Sequence, residues 1–293
     1  MTRLLRVIAV QSEPVELGTP LAEFAADVAR QVATQGRGTE GSVTVVVYPE
    51  LHLWGTNAVA PSSHEARLRE TAITLDDPLI ADLGEIARTR GVWLLPGSVC
   101  ERGPSGELFN TALVFAPDGS LVTSYRKVFP WRPSEPYDPG DEFVVFDIDG
   151  VGRAGVSICY DAWFPEVTRH LAWMGAEVVF NIVKTTTPDR VQEVLLAQAN
   201  SIVNQTFTVS LNCAGPTGEG RSLVVDPEGV VLGEVGPDPA VLVHDLDLDD
   251  VSRVHEVGTA GVNRMWSQFR PGDAAIALPL YAGRIDPATW EPA

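Results

Sequence analysis

Residues 42–48 read SVTVVVY and are the most informative segment about the architecture. The run is β-branched and lacks polar alternation, which is typical of a strand that is buried on both faces of a sheet. On either side of it, we predict strands at residues 4–10 and 92–99 and helices at residues 20–34 and 78–89. Strands that alternate with amphipathic helices predict an α/β layered fold.

The rest of the chain contains two similar hairpin patterns, at residues 110–124 and 222–234. Each pairs two apolar strands around a turn, Pro-Asp-Gly at 117–119 and Pro-Glu-Gly at 227–229. Such turns form because proline presets φ and glycine accepts positive φ. The recurrence indicates two half-domains of similar build. Between the hairpins we predict strands at 155–159, 177–183 and 206–212 and helices at 165–174 and 189–204.

The domain organisation follows from the absence of linker composition. A chain of 293 residues is long enough for two domains of about 150 residues each. No segment reads as a flexible linker, however, so we predict one domain over residues 1–293. From residue 251 onward the periodicity fades and glycine and proline increase, so residues 251–293 are expected to form a C-terminal tail that wraps the domain or contacts a partner subunit.

The charge and the cysteine content exclude several classes of function. The chain has 39 acidic and 21 basic residues, a net charge of −18, which disfavours binding to nucleic acid. The opening residues read as a first strand rather than a signal peptide, and no apolar run is long enough to span a membrane. Three cysteines without a Cys-x-x-Cys pair indicate a reducing, cytoplasmic setting and no structural zinc.

Cys159 is the sharpest chemical feature. It lies in GVSICYDAWFPE, residues 155–166, where an apolar strand ends just before a helix that begins at a proline. Such a corner exposes a side chain to free backbone N–H groups, which can lower the pKa of a thiol and stabilise an oxyanion. Cys159 is therefore the candidate nucleophile, whereas Cys100 and Cys213 close strands without a following helix and are expected to be packing residues.

Three charged residues accompany the cysteine. Lys127 is one of only two lysines in the chain, the other being Lys184, and it follows the first hairpin in SYRKVFPW. Glu50 ends the doubly buried strand in VVVYPE, where a carboxylate is costly unless it is paired or functional. Glu135 lies in the proline-rich loop WRPSEPYDPG. Taken singly, each of the three also fits a surface or capping role.

Together these residues resemble the nitrilase (carbon–nitrogen hydrolase) superfamily over almost the whole chain. The superfamily's Glu-Lys-Cys triad would correspond to Glu50 in YPE, Lys127 in YRK and Cys159 in ICYD, and its second glutamate to Glu135. The stretch RKVFPWRPSEPYDPGD, residues 126–141, further resembles the aliphatic amidase and formamidase branch. In that branch Trp131 would form a wall of the pocket.

The resemblance implies an amidase mechanism. Cys159 would attack the carbonyl carbon of an amide, and Glu50 would take the thiol proton and pass it to the leaving ammonia or amine. Lys127 and the backbone N–H of Tyr160 would hold the oxyanion. Glu135 would position the substrate, and water activated by Glu50 would release the acyl group. No metal, nucleotide or redox cofactor has a role in this scheme.

The resemblance also implies a fold and an assembly. The expected fold is a four-layer αββα sandwich of two six-stranded sheets flanked by helices. Members of the superfamily commonly pair through their helical faces, so a homodimer or larger homo-oligomer is expected. The remaining partner is a small-molecule amide, with no nucleic acid and no membrane.

Several functional alternatives remain open at this stage. Tyr160-Asp161 after the nucleophile is similar to amidases rather than nitrilases, which usually have Trp-Glu there. Ala162 and Trp163 provide no cationic anchor for a carboxylate-bearing substrate, which favours a neutral carboxamide. N-carbamoyl hydrolysis, nitrile hydrolysis, acyl transfer from a Cys159 thioester and a non-catalytic scaffold are the alternatives.

Overall fold

The computed structural model describes residues 3–39, 41–268, 270–274, 276–277 and 283. The strands are β1 (Leu4–Gln11), β2 (Val43–Val47), β3 (Trp93–Leu95), β4 (Ser98–Arg102), β5 (Leu108–Phe115), β6 (Leu121–Arg126), β7 (Val145–Ile148), β8 (Gly152–Ile158), β9 (Val178–Val183), β10 (Phe207–Asn212), β11 (Leu223–Val225), β12 (Val231–Glu234) and β13 (Ala240–Asp247). The α-helices are α1 (Leu21–Gln35), α2 (His64–Thr71), α3 (Pro78–Arg90), α4 (Pro165–Trp173), α5 (Arg190–Asn204) and α6 (Asp249–Val257). Short 3-10 helices lie at Pro61–Ser63, Cys159–Trp163 and Met265–Ser267.

The strands form two mixed sheets. The first has the order β13-β1-β2-β3-β5-β4, and β6 pairs with β5 outside this path, which makes seven strands. The second has six strands in the order β12-β11-β10-β9-β8-β7. The parallel pairs are β1-β2-β3 in the first sheet and β8-β9-β10 in the second. The carboxyl ends of these parallel strands are where the loops that carry functional side chains begin.

Hydrophobic burial holds the sheets and helices together in layers. One core cluster lies between the sheets and joins side chains of both, including Val7 and Val47 from the first and Ile158 and Phe180 from the second. A second cluster packs α1 and α3 on the outer face of the first sheet. Smaller clusters pack α4 and α5 on the outer face of the second sheet. The predicted four-layer αββα sandwich is therefore confirmed, with seven strands rather than six in the first sheet.

Two sequence predictions need correction. The single strand expected at residues 92–99 is two strands, β3 and β4, because the chain turns at Gly97, where φ is +94°. The expected tail begins with a regular helix, α6, whose Val251 and Val254 are buried. Two buried valines in a helix of nine residues form too short a pattern for its amphipathic spacing to be recognised in the sequence. Much of the chain beyond residue 268 lies outside the described residues. The expected contact of the tail with a partner subunit falls largely on that part of the chain and stays a prediction.

Within the part of the chain that the structure describes, no helix is long and apolar enough to cross a membrane.

Gly97 provides a test of how closely two loops of the first sheet approach each other beside Glu50. A Cβ atom at Gly97 would overlap the carbonyl oxygen of Pro49, the residue that precedes Glu50. Gly106 has the same φ of +94°, but a Cβ atom there would have nothing within 4 Å, so Gly106 is a matched control. We expect Gly106→Ala to lower the free energy of unfolding by about 1–2 kcal/mol, the cost of a left-handed backbone. Gly97→Ala should cost about 1–3 kcal/mol more because of overpacking.

The measurement is urea unfolding followed by circular dichroism on both variants. Equal losses of stability in the two variants would contradict the close approach of Gly97 to Pro49.

Candidate active site

The site lies at the carboxyl ends of strands from both sheets. Glu50 follows β2 and Lys127 follows β6 in the first sheet, while Cys159 follows β8 and Thr185 follows β9 in the second. Because the two sheets pack face to face, strand ends from both can contribute to one cleft. The four side chains therefore reach the same end of the sandwich from different strands.

Lys127 is fully buried between two carboxylates. Its Nζ lies 3.0 Å from Oε1 of Glu50 and 2.8 Å from Oε1 of Glu135, and the exposed fractions of Lys127 and Glu50 are 0% and 2%. Burial alone would lower the pKa of Lys127, but the neighbouring carboxylates of Glu50 and Glu135 raise it well above its usual range. Lys127 is therefore a fixed ammonium at neutral pH.

Neighbouring groups fix the two carboxylates. The side-chain amide of Asn110 donates to Oε1 of Glu50 at 2.7 Å, the oxygen that also receives Lys127. The backbone N–H of Trp131 donates to Oε2 of Glu135 at 3.0 Å. Burial raises the pKa of Glu135, while Lys127 opposes that shift and Glu50 adds to it. The two carboxylates therefore share the single ammonium of Lys127.

Cys159 occupies a strained corner. It begins the 3-10 helix Cys159–Trp163 directly after β8, and its φ is +49°, in the left-handed region that non-glycine residues rarely adopt. Amides in the first turn of such a helix lack carbonyl partners within it, so the N–H of Tyr160 is free to face a developing negative charge. Burial and the nearby Glu50 raise the pKa of Cys159 well above its usual range, although Lys127 lowers it. The resting side chain is therefore a thiol.

Asp161 ties this corner to the strand that carries Lys127. Its Oδ2 accepts hydrogen bonds from the backbone of Ile158 at 2.9 Å and from the hydroxyl of Tyr125 at 2.7 Å. Its Oδ1 accepts from the backbone of Phe129 at 2.9 Å. Burial raises the pKa of Asp161 to about 6. These bonds fix the end of β8 against the end of β6, which sets the position of Cys159 relative to Lys127.

A second polar cluster meets Cys159 from the other side. The Sγ of Cys159 lies 3.7 Å from Oγ1 of Thr185, whose hydroxyl donates to both carboxylate oxygens of Glu193, at 2.9 and 2.8 Å. The guanidinium of Arg190 pairs with Oε2 of Glu193 at 3.1 Å. The cluster joins the end of β9 to the first turn of α5. It therefore couples Cys159 to a buried ion pair in a helix.

A small cavity opens over the thiol. Its volume, about 40 Å³ for the centres of water-sized molecules, has room for roughly three waters. Trp131 stands at its mouth with 42% of its surface exposed. The lining residues are Trp131, Glu135, Cys159, Tyr160, Lys184, Thr185, Thr186, Thr187, Asp189 and Glu193.

The structure brings together the four residues that the sequence singled out, Glu50, Lys127, Glu135 and Cys159. Trp131 and Tyr160 line the cavity. The other two cysteines, Cys100 and Cys213, are fully buried and are not among the cavity's lining residues. The catalytic roles themselves stay predictions.

Sequence reasoning missed four residues, namely Asn110, Thr185, Arg190 and Glu193. Asn110 interrupts a buried apolar strand, which is a signal for a polar group with a specific partner. Arg190 and Glu193 are spaced as an ordinary surface pair on a helix, so only their burial in the fold distinguishes them. Among the described residues, no group of three or more His, Cys, Asp or Glu side chains is arranged to hold a metal ion.

The fold and the site together define an αββα-sandwich hydrolase with a cysteine beside a buried Glu-Lys-Glu cluster. A family model described as Carbon-nitrogen hydrolase matches residues 9–256, most of the chain. The chain belongs to the carbon–nitrogen hydrolase family, whose enzymes act on C–N bonds. The resemblance to the nitrilase superfamily is thereby confirmed.

Named relatives agree with this assignment. A formamidase from Bacillus cereus (strain AH820) is 31% identical over 238 residues, which cover 76% of this chain and 70% of the relative. A formamidase from Pseudomonas syringae pv. syringae (strain B728a) is 31% identical over 211 residues. That match covers 70% of this chain and spans 60% of the relative's length.

Solved structures show the same fold. Saccharomyces cerevisiae Nit3, a member of branch 10 of the nitrilase superfamily, superposes with a TM-score of 0.75 at 24% identity, covering 87% of this chain and 94% of that one. The amidase from Nesterenkonia sp. AN1 in complex with butyramide superposes with a TM-score of 0.69 at 27% identity, covering 86% and 94%. A further variant of that amidase carries the acetamide moiety of fluoroacetamide covalently on its active-site cysteine, at 26% identity, a TM-score of 0.69, and coverage of 87% and 96%.

Proposed function

We propose that this protein hydrolyses the C–N bond of a small, neutral carboxamide through a thioester on Cys159, with Glu50, Lys127 and Cys159 as its Glu-Lys-Cys triad. The observation that carries the proposal is the fully buried ammonium of Lys127, held between Glu50 and Glu135 at the end of the sandwich where Cys159 stands. An ammonium, a proton carrier and a nucleophile are the groups that amide cleavage needs.

In the acylation step, Sγ of Cys159 bonds to the carbonyl carbon as Glu50 takes the thiol proton. The carbonyl electron pair moves to oxygen, where the ammonium of Lys127 and the N–H of Tyr160 stabilise the charge. The C–N bond then breaks, and the leaving nitrogen takes the proton from Glu50. The product is a thioester on Cys159 together with free ammonia or amine.

In the deacylation step, water attacks the thioester carbon and gives a proton to Glu50. The C–S bond breaks, and the proton returns to Cys159 as the acid leaves. The raised pKa of Lys127 keeps its ammonium charged through both steps. Glu135, which accepts from Lys127 and from the backbone N–H of Trp131, is fixed in a position from which it would hold the amide.

The size and polarity of the cavity support a small neutral substrate. The space over the thiol has room for roughly three waters, which suits an acyl group of a few heavy atoms, and the neutral side chains of Trp131 and of three threonines, Thr185, Thr186 and Thr187, are among its walls. Named relatives are formamidases, and the similar Nesterenkonia amidase binds butyramide. We infer a short aliphatic amide as the substrate class.

A substrate panel tests this proposal. Formamide, acetamide, propionamide and butyramide should each release ammonia together with the matching acid, whereas aliphatic nitriles and N-carbamoyl amino acids should release little. Cys159→Ala should abolish release and keep the fold, while Cys100→Ala and Cys213→Ala should retain most activity. Turnover of nitriles but not amides would overturn the amidase assignment. Hydroxamate formed with added hydroxylamine would report the thioester that hydrolysis and acyl transfer share, whereas little acid released in the absence of an added amine would indicate acyl transfer.

Lys127→Arg separates an oxyanion donor from a simple counter-ion. The planar guanidinium keeps the charge but cannot place a donor where the ammonium stands, so we expect kcat to fall about 10²–10³-fold. The measurement is steady-state kinetics on the best amide, with circular dichroism to check the fold. Arg88→Lys, at an exposed ion pair on α3, is the control and should leave kcat unchanged. A Lys127→Arg enzyme within about threefold of wild type would contradict the oxyanion role.

We also propose that the chain forms a homodimer through the outer face of α5. Val191, Leu195 and Ile202 lie on that helix with exposed fractions of 51%, 62% and 43%, and Trp173 at the end of α4 is 77% exposed. An apolar helix face that stays in water is costly, so a second copy is the natural cover. Leu195→Asp should convert a dimer into a monomer in light scattering, while Val122→Asp on β6 should not. A monomeric wild-type protein would contradict the proposal.

We propose a cytoplasmic location, because all three cysteines are free and one of them, Cys159, has to stay a reduced thiol to act.

A further inference from the structure

The hydroxyl of Thr185 has one hydrogen, and it donates this hydrogen to the carboxylate of Glu193. The two O–O distances, 2.9 and 2.8 Å to Oε1 and Oε2, place the hydroxyl astride the carboxylate. A carboxylate accepts and does not donate, so the hydrogen points from Thr185 towards Glu193. The lone pairs of Thr185 are therefore what remains for any other neighbour.

Arg190 prevents that arrangement from reversing. Its guanidinium pairs with Oε2 of Glu193 at 3.1 Å, and 1% of the Arg190 side chain is exposed. It also donates to the carbonyl oxygens of Gly220 and Arg221, at 3.1 and 3.0 Å. A buried arginine with this many partners donates to Glu193 from a fixed position, so the carboxylate accepts from both Arg190 and Thr185.

Cys159 meets this fixed hydroxyl at 3.7 Å. Within the described part of the chain, the contact with Thr185 is the one hydrogen bond that Sγ forms. Since Thr185 has no hydrogen left to give, the cysteine has to be the donor. We propose that Thr185 is a positioning residue which, fixed by Glu193 and Arg190, holds the resting Cys159 as a thiol whose proton points away from Glu50.

The inference rests on the proposed function, in which Cys159 is the nucleophile. Substrate binding then has to turn the S–H bond from Thr185 to Glu50 before attack, so the sulfur stays unreactive in the empty site. The charged groups around the sulfur come from every element packed against it. They are Glu50 after β2, Lys127 after β6, Glu135 in the proline-rich loop, Asp161 in the 3-10 helix, Lys184 after β9, and Arg190 and Glu193 on α5.

The test reads the thiol directly and needs no turnover. The rate of alkylation of Cys159 by iodoacetamide is measured from pH 6 to 11.5 by mass spectrometry of the Cys159 peptide, because burial and Glu50 raise the pKa of this thiol and place the midpoint at high pH. Thr185→Val keeps the shape and removes the acceptor, so we expect the midpoint of the pH profile to move to lower pH. The rate at pH 7 should rise about fivefold, the usual worth of one neutral hydrogen bond. Thr185→Ser should restore the wild-type profile.

A matched control exists elsewhere in the fold. The hydroxyl of Thr111 donates to Glu101, which Arg126 also contacts, and none of these three residues lines the cavity. Thr111→Val thus removes the same kind of hydrogen bond at a distance from the sulfur. The midpoint of the Cys159 alkylation profile should not move in this variant. A loosened fold would speed alkylation at every pH without shifting the midpoint.

Glu193→Gln is the second variant, because its amide can donate to Thr185 and free the hydroxyl to donate to sulfur. It should move the midpoint in the same direction, but loss of the Glu193 charge alone also lowers the pKa of Cys159. Thr185→Ala, which removes the acceptor and keeps that charge, therefore decides the matter if Thr185→Val does not fold. An unmoved or raised midpoint in the folded variants would overturn the role of Thr185. Failure of Cys159 to be labelled in any variant would instead overturn the proposed function.

Discussion

The burial of one ammonium constrains the whole active site. Lys127 has no exposed surface, and a charge in that position is tolerated only when carboxylates surround it. Glu50 and Glu135 supply them from the end of β2 and from the proline-rich loop, so three separate segments must converge on one nitrogen. Removing one partner of such a pair leaves an uncompensated charge, which typically costs about 3–5 kcal/mol. Folding of this region and assembly of the site are therefore one event.

The same charges set the state of the nucleophile. Glu50 raises the pKa of Cys159 together with burial, and Lys127 lowers it by a smaller amount. A stable thiolate is therefore absent at rest, and the sulfur becomes nucleophilic only as its proton leaves for Glu50. Proton transfer and carbon–sulfur bond formation are thus coupled. This coupling favours substrates whose carbonyl oxygen reaches Lys127 at the same moment.

The sequence predicts the parts of this molecule that depend on local pattern. The buried run at residues 42–48, the helix spacing of α1 and α3 and the two hairpin turns are all local, and the structure agrees with them. Glu50, Lys127 and Cys159 could be found because each follows a recognisable strand. Thr185, Arg190 and Glu193 could not, because their contacts join a strand end to a helix and become visible only when packing has removed water from the pair. The turn at Gly97 could not be predicted for a related reason, because it packs closely against the backbone of Pro49, which is distant in the sequence.

The positive φ of Cys159 explains why this residue is held from two sides, by the hydrogen bonds of Asp161 and by the cluster of Thr185, Glu193 and Arg190. A residue with φ of +49° after a buried strand stores energy that neighbouring bonds must balance. Asp161 supplies that balance on the Lys127 side by joining the ends of β8 and β6 through three hydrogen bonds. Thr185 meets the sulfur on the opposite side. Cys159 is thereby held between an anchor that fixes its backbone and a hydroxyl that fixes its proton. The proposed mechanism then requires the thiol to turn from Thr185 towards Glu50, and the binding of substrate is the event that would drive this turn.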